Sequence, residues 1–203
     1  MGILYDKKIV KTKHAKAALV FENLFDHIDF EHLDCKSPKD YIKLYWEKYM
    51  ASDVKKNNAL NGSIFELVFH TLLYKEGIVP FYTKAKVAFV PNIEFDTLLY
   101  TPSKPICLSL KTSLRERYKQ ADLEAIALRY VHRKSKSYLL TMDSYEANVC
   151  NSKIKSGEII GIDEVIDCNT EEVNQLIKKL HKIKDELTIS PKINVVEGNL
   201  IQK

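Results

Sequence analysis

A chain of 203 residues with 45% hydrophobic and 29% charged side chains has the size and balance of one globular domain, which excludes a large multidomain machine, a disordered tail and a coiled-coil rod. Its formal charge of +4, from 31 Lys+Arg against 27 Asp+Glu, permits a polyanionic partner without requiring one. No apolar run reaches the roughly 18 residues of a membrane span, and the start (MGILYDKKIVKTKHAK) does not read as a secretion signal, so a cytoplasmic protein with no membrane partner is expected.

In chain order, residues 14–33 carry Leu19, Val20, Leu24, Phe25 and Ile28 at the three-and-four spacing of an amphipathic helix. A second helix is predicted over 38–50, with Ser37 as cap and Pro38 in the first helical position. After a polar loop at 55–61, residues 62–78 read as a central helix, with Ser63 and Glu66 in capping-box relation and Gly77 as terminator. Strands follow at 86–90, 93–100 and 105–111, separated by Pro91-Asn92 and Thr101-Pro102-Ser103. Then come a helix at 114–133, a short buried strand at 137–142, a helix at 144–155, a strand near 158–162 and a helix at 170–188 opened by Asn169 and Glu172. The tail from Pro191 is weakly patterned. This order predicts an α/β fold, a central mixed sheet flanked by helices, in which the strands at 105–111 and 137–142 run parallel through the intervening helix.

The four cysteines, Cys35, Cys107, Cys150 and Cys168, have neither zinc-ligand spacing nor a disulfide framework, and reduced, partly buried thiols are expected. None of the six histidines falls at metal-binding spacing with another ligand; His70, four residues after Glu66, reads as a packed core histidine. No Gly-rich phosphate loop, nucleophile elbow or dinucleotide fingerprint occurs, which removes nucleotide-driven motors and serine hydrolases and predicts no nucleotide cofactor.

The chemistry lies between strands. Asp96 interrupts an apolar strand, and Ser109 and Lys111 on the next strand are two apart and share a face, so a hairpin brings the three to one end of the sheet. The following helix presents Glu116, Gln120 and Glu124 at four-residue steps. Two carboxylates and a lysine suit metal-assisted phosphodiester hydrolysis: hard oxygen ligands hold Mg²⁺, and the ammonium orients a water and offsets transition-state charge. Each residue also has a plainer reading, Glu66 as a cap, Asp96 and Glu124 as solvated charges, Lys111 as a snorkelling strand end. Asp122 and Gln120 compete with Glu124 for the second position.

At these residues the sequence resembles the PD-(D/E)XK nuclease superfamily, and within it type II restriction endonucleases. Ser109 stands where an acidic residue is usual, which resembles the variant of the CCGG-cutting group and of the EcoRII and MvaI kind, with the second carboxylate on the following helix; Glu124 occupies that place. The stretch from Lys111 through Thr112, Ser113, Leu114, Arg115, Glu116, Arg117, Tyr118 and Lys119 to Gln120 is similar to one in EcoRII-type enzymes, while Phe95 replaces the usual proline before Asp96. The resemblance covers about residues 61–142. It implies a single nuclease domain over 1–203, with an N-terminal helical region (1–60), a catalytic core (61–142) and C-terminal α/β elements (143–203). It further implies Mg²⁺-dependent cleavage of double-stranded DNA giving 5′-phosphate ends. Asp96, Lys111 and Glu124 would be catalytic, Asp96, Glu124, the Leu110 carbonyl and Glu66 metal ligands, and Arg115, Arg117, Lys119 and Gln120 DNA contacts. A homodimer suits a palindromic site, and a monomer is the alternative. Rival expectations are a repair or junction nuclease of the same fold and a non-catalytic DNA- or protein-binding module. Residues 101–140 hold nine Lys+Arg against three acids, a local excess expected to wrap the site.

Overall fold

The computed structural model describes residues 2–26, 28–90, 92–189 and 195–203. His27 and Pro91, part of the sequence readings above, lie outside the described residues, as does the start of the tail at 190–194. The N-terminal region folds as α1 (Ile3–Asp6), α2 (Lys16–Phe25), α3 (Pro38–Ala51) and α4 (Asn58–Lys75). Helix α2 stops well short of residue 33. The acids that follow it, Asp26, Asp29 and Glu31, oppose the negative end of a helix dipole, and Asp29 turns the backbone locally by accepting from the Glu31 N–H at 3.0 Å. Helix α3 begins as expected, Ser37 accepting from the Asp40 amide and Pro38 following it.

Helix α4 starts earlier than predicted because the Asn57 side chain caps it, accepting from the Leu60 amide at 2.9 Å. Ser63 and Glu66 are therefore mid-helix and form no capping box, which leaves the Glu66 carboxylate without a backbone duty. The helix is apolar on nearly all sides, as a central helix must be, and Gly77 at φ 68° provides the left-handed residue just beyond its end.

The sheet has six strands, β1 (Phe81–Val87), β2 (Phe95–Tyr100), β3 (Pro105–Leu110), β4 (Lys136–Thr141), β5 (Glu164–Asp167) and β6 (Val195–Ile201), in the order β5-β4-β3-β2-β1-β6. β1, β2 and β3 form an antiparallel meander; β4 and β5 add in parallel, through α5 (Arg117–Val131) and α6 (Ser144–Ser156). Helix α7 (Glu171–His181) and a short 3₁₀ turn (Lys184–Glu186) replace the longer helix expected to reach 188. Its cap is Thr170, not Asn169, whose side chain instead ties Met142 to Asp167. This is an α/β architecture with a mixed sheet covered on both faces. One face packs Leu99, Ile106, Leu108 and Leu110 against α4 and its neighbours; the other packs Leu98, Tyr100 and Cys107 against Leu128 of α5.

Three strand readings change. β1 starts at Phe81, ahead of the expected 86–90, and its end turns at Phe89, φ 65°. The segment 158–162 is no strand: the amides of Ile160, Gly161 and Ile162 all donate to Asp122 Oδ1, which commits them to α5. A side chain at Gly161 would meet the Asp122 carbonyl at 2.4 Å, so the approach requires glycine there. The weakly patterned tail supplies edge strand β6, antiparallel to β1. All four cysteines are free, three buried and Cys35 half-buried. Among the described residues no helix is long and apolar enough to cross a membrane.

Candidate active site at the open end of the β2–β3 hairpin

Thr97 pairs with Leu108 in the β2–β3 ladder, so Asp96 and Ser109 lie one step further along, on the face that meets α5. Asp96 is 7% exposed and fully engaged. Its Oδ2 accepts from Lys111 Nζ at 2.7 Å and from the Leu110 amide at 3.0 Å, and its Oδ1 lies 3.5 Å from Lys84 Nζ. Burial disfavours the charge, but Lys111 and Lys84 outweigh it and hold the carboxyl below its ordinary value. Lys111 itself leaves the ladder with its amide on the Leu140 carbonyl, which fixes the root of its side chain at the end of β3. The structure thus brings Asp96 and Lys111 together.

Lys84 is a residue that the sequence patterning missed. Along β1, Phe81 belongs to the α4-facing core whereas Ala85 and Val87 belong to the α5-facing one, so the strand exchanges faces between Thr83 and Ala85. The exchange is a bulge. Lys84 sits at φ 50°, and the β1–β6 register shifts between Thr83 and Lys86. The bulge aims Lys84 Nζ at Glu66, 3.0 Å away, as well as at Asp96. Burial opposes the Lys84 ammonium, yet Glu66 and Asp96 raise its pKa above the ordinary value. Glu66 is pushed the other way: burial, then repulsion from Asp96, lifts its carboxyl despite Lys84. The signal was present in the alternation of Phe81-Tyr82-Thr83-Lys84-Ala85-Lys86-Val87, but a bulge cannot be read from a period-two pattern.

On α5 the three candidates separate. Asp122 faces the 160–162 loop, where it caps three amides, and has a structural task. Gln120 and Glu124 share the other face, Gln120 Nε2 donating to Glu124 Oε1 at 2.7 Å. Burial raises the Glu124 carboxyl, its hydrogen bond with Gln120 and the charge of Lys111 counter it, and Asp96 adds repulsion. Arg115 and Arg117 are exposed, and Lys119 pairs with Glu116 on the surface. The turn that presents them is held by Glu146 of α6, whose carboxylate accepts from the amides of Leu114 and Arg115, the latter at φ 33°. His70 is buried beneath the site, bonded to Thr97 Oγ1 at 2.7 Å. Burial, then Lys84, brings its pKa down to about 3, so it stays neutral.

The expected basic wrap is only partly realised. Arg129 and Lys136 are consumed by Asp163 at the other end of the sheet, Lys136 pairing with Ile106 where Leu140 pairs with Leu110. Four strand steps separate the two ends, about 13 Å.

A cavity of about 400 Å³ opens on the Glu66–Lys84 side, walled by Ile9–Thr12 of the N-terminal segment together with His70 and Glu94. Among the described residues no group of three or more His, Cys, Asp or Glu assembles into a metal cage. The donors at the hairpin end are carboxylates, with neither thiolate nor available imidazole. These are hard-oxygen groups of the kind a divalent cation takes, but Glu66 is already paired with Lys84 at 3.0 Å and Asp96 with Lys111 at 2.7 Å, and it is chiefly burial that raises the Glu66 and Glu124 carboxyls. No protein-family model matches the sequence, and neither the curated proteins nor the solved structures give a significant match.

Proposed function

We propose that the protein is a Mg²⁺-dependent endonuclease of the PD-(D/E)XK type acting on double-stranded DNA, with a type II restriction enzyme as the specific reading. The observation that carries it is the Lys111–Asp96 contact at 2.7 Å at the end of the β2–β3 hairpin, with Glu124 on the helix that follows. Asp96, Glu124 and the Leu110 carbonyl would hold the ion, with Glu66 at the outer edge of the site. Bound Mg²⁺ supplies a polarised phosphate and a water of lowered pKa. Lys111, anchored by Asp96, orients the attacking water and offsets charge on the phosphorane-like transition state. His70, being neutral and already bonded, takes no proton. Arg115, Arg117, Lys119 and Gln120 lie on the surface around the start of α5, where they would meet the phosphate backbone. Twofold pairing of chains on a palindrome follows from the same reading.

The test is incubation of the purified protein with long duplex DNA, with and without Mg²⁺. Discrete fragments with 5′-phosphate ends, formed only with the ion, support the reading; a smear or intact DNA counts against restriction activity. Cleavage confined to branched or damaged duplexes would favour a repair or junction nuclease instead. A second reading, a non-catalytic module, is favoured by the fact that both lysines already neutralise Asp96 as a structural ion cluster would. Lys111→Ala separates the two: lost cleavage with retained DNA binding supports catalysis.

A further inference from the structure

We propose that residues 8–16 form a second phosphate-binding wall, so that the backbone of duplex DNA is held by these lysines on one side of Asp96 and by the start of α5 on the other. The inference rests on the nuclease reading and adds to it where the DNA lies. Residues 7–16 hold five lysines and no acid, a run that acids elsewhere in the chain cancel in the overall charge. Lys7 pairs with Glu31. Lys8, Lys11, Lys13 and Lys16 are exposed, and among the described residues none of these four forms an ion pair.

Two observations set the run apart from an ordinary solvated stretch of charge. It is held in a fixed shape: Ile9 is 3% exposed and belongs to the main core, the amides of Ile9 and Val10 donate to the Leu4 carbonyl, and Asn199 of β6 donates to the Lys8 carbonyl at 2.8 Å. It also borders the site, since Ile9–Thr12 and Ala15 wall the cavity that Glu66, His70 and Lys84 share. Asp96 stands between the two proposed walls, its Oδ1 towards Lys84 on the cavity side and its Oδ2 towards Lys111 on the α5 side. Asn199 is level with Thr83, Thr97 and Leu108, one step from Asp96 and Ser109. Three strand spacings, about 14 Å, separate β6 from β3 there. That is comparable with the roughly 12 Å of a B-DNA major groove, so phosphates flanking one groove can meet both walls. The acids beside the segment are Asp6, Glu66, Glu94 and Glu197; Lys84 takes Glu66 and Lys86 takes Glu197, which leaves four lysines against Asp6 and Glu94. Lys16 opens α2 with no acid in its first turn and Ala15 unable to cap, so it opposes the helix dipole, a placement that stability alone disfavours.

Anisotropy of a labelled duplex of arbitrary sequence, titrated with the full chain in the absence of Mg²⁺ at several salt concentrations, tests this. With about 0.9 in slope for each phosphate contact, Lys11→Gln combined with Lys13→Gln should lower the slope of log affinity against log salt by about two; the wild type then loses about tenfold more affinity than the variant between about 50 and 200 mM salt. Lys11→Arg with Lys13→Arg should keep the wild-type slope, as should Lys155→Gln in the last turn of α6. Adding Arg117→Ala to the glutamine pair should lower the slope by about one more, because the two walls hold different phosphates. Thermal melts of the glutamine pair should match the wild type, since both side chains are exposed. A wild-type slope in the glutamine pair would overturn the proposal, and Mg²⁺-dependent cleavage by the same protein would show that the nuclease reading survives it. An unchanged duplex slope with lost binding to anionic phospholipid vesicles would overturn it too, assigning the lysines to a membrane surface. A lowered slope in a protein that cuts no DNA with any divalent ion would support the lysine wall and bring down the nuclease reading alone.

Discussion

Two aspartates at opposite ends of the sheet have nearly the same partners. Asp96 accepts from two lysines and the Leu110 amide; Asp163 accepts from Arg129, Lys136 and the Ser137 amide, at 3.0, 2.8 and 2.8 Å. Their surroundings differ. Around Asp163 two cations meet one acid, and Arg129 also donates to the carbonyls of Ile160 and Gly161, so the cluster staples the 160–163 loop to α5 and β4. Around Asp96 two lysines stand with a second acid, Glu66, whose carboxyl burial and repulsion from Asp96 hold above its ordinary value. A cluster that staples a loop reads as architecture. Under the nuclease reading proposed above, the cluster at the open end of the hairpin is the one that would receive a cation.

The strongest way to break this contrast is to neutralise each aspartate in turn. Asp96→Asn should abolish metal-dependent cleavage, by 10³-fold or more on the order of magnitude seen for lost electrostatic stabilisation. Asp163→Asn should leave cleavage rates near wild type but weaken three hydrogen bonds, costing about 2 kcal/mol and lowering Tm by roughly 4–8 °C. Cleavage assays beside thermal melts decide it; equal loss of activity in both variants would erase the distinction. Helix α5 offers the same experiment at closer range. Glu124→Gln should remove cleavage with little change in Tm, whereas Asp122→Ala should keep cleavage and cost about 2 kcal/mol, because three amides of the 160–162 loop lose their acceptor.

A smaller effect follows from protonation. Asp96, held below its ordinary 3.8, contributes stability that is present above that value and lost as pH falls through its folded pKa. Glu66 and Glu124, held above 4.5, act oppositely: the folded state binds their protons more tightly, so their ionisation subtracts stability as pH climbs from 4.5 through the raised values. A divalent cation would relieve that penalty. Mg²⁺ should therefore raise Tm more at about pH 7.5 than at about pH 5, and Glu124→Gln should reduce the difference. A Mg²⁺ shift independent of pH would mean that the ion binds elsewhere.

How far the sequence could be read depended on whether local chemistry had a tertiary competitor. The β2–β3 hairpin with Asp96 and Lys111 was legible because two apolar strands and a short turn leave few other registers, and one register fixes which side chains meet. Helix α5 was legible as a helix, but the choice among Gln120, Asp122 and Glu124 depended on which face met the 160–162 loop, and nothing near Asp122 in the sequence announces three amides nearly forty residues on. The same capture turned an Ile-rich stretch that reads as a strand into a loop. Ser63 and Glu66 form a good capping box as text, yet Asn57 caps first, and the helix continues through them because every following turn is apolar. Lys84 was hidden for a related reason, since alternation continues in the text across a bulge while the strand turns over. The local basic excess could be counted from sequence but not located, because Arg129 and Lys136 are spent on Asp163.

The smallest expected effect tests that redistribution of charge. If, of the basic residues at 101–140, only those at the start of α5 face the phosphate backbone, Arg117→Ala and Lys119→Ala should each weaken DNA binding similarly across sequences and reduce the slope of log affinity against log salt by about one. Arg129→Ala should leave that slope unchanged while lowering Tm, because its guanidinium is bound to Asp163 and to two carbonyls. Lys119 shares its ammonium with Glu116, a surface pair that salt screens, so its replacement should leave Tm where it was. Binding isotherms at several salt concentrations measure these slopes. Equal slopes for Lys119→Ala and Arg129→Ala would show that the two ends of the sheet carry DNA alike, and the contrast between Asp96 and Asp163 would then be one of packing alone.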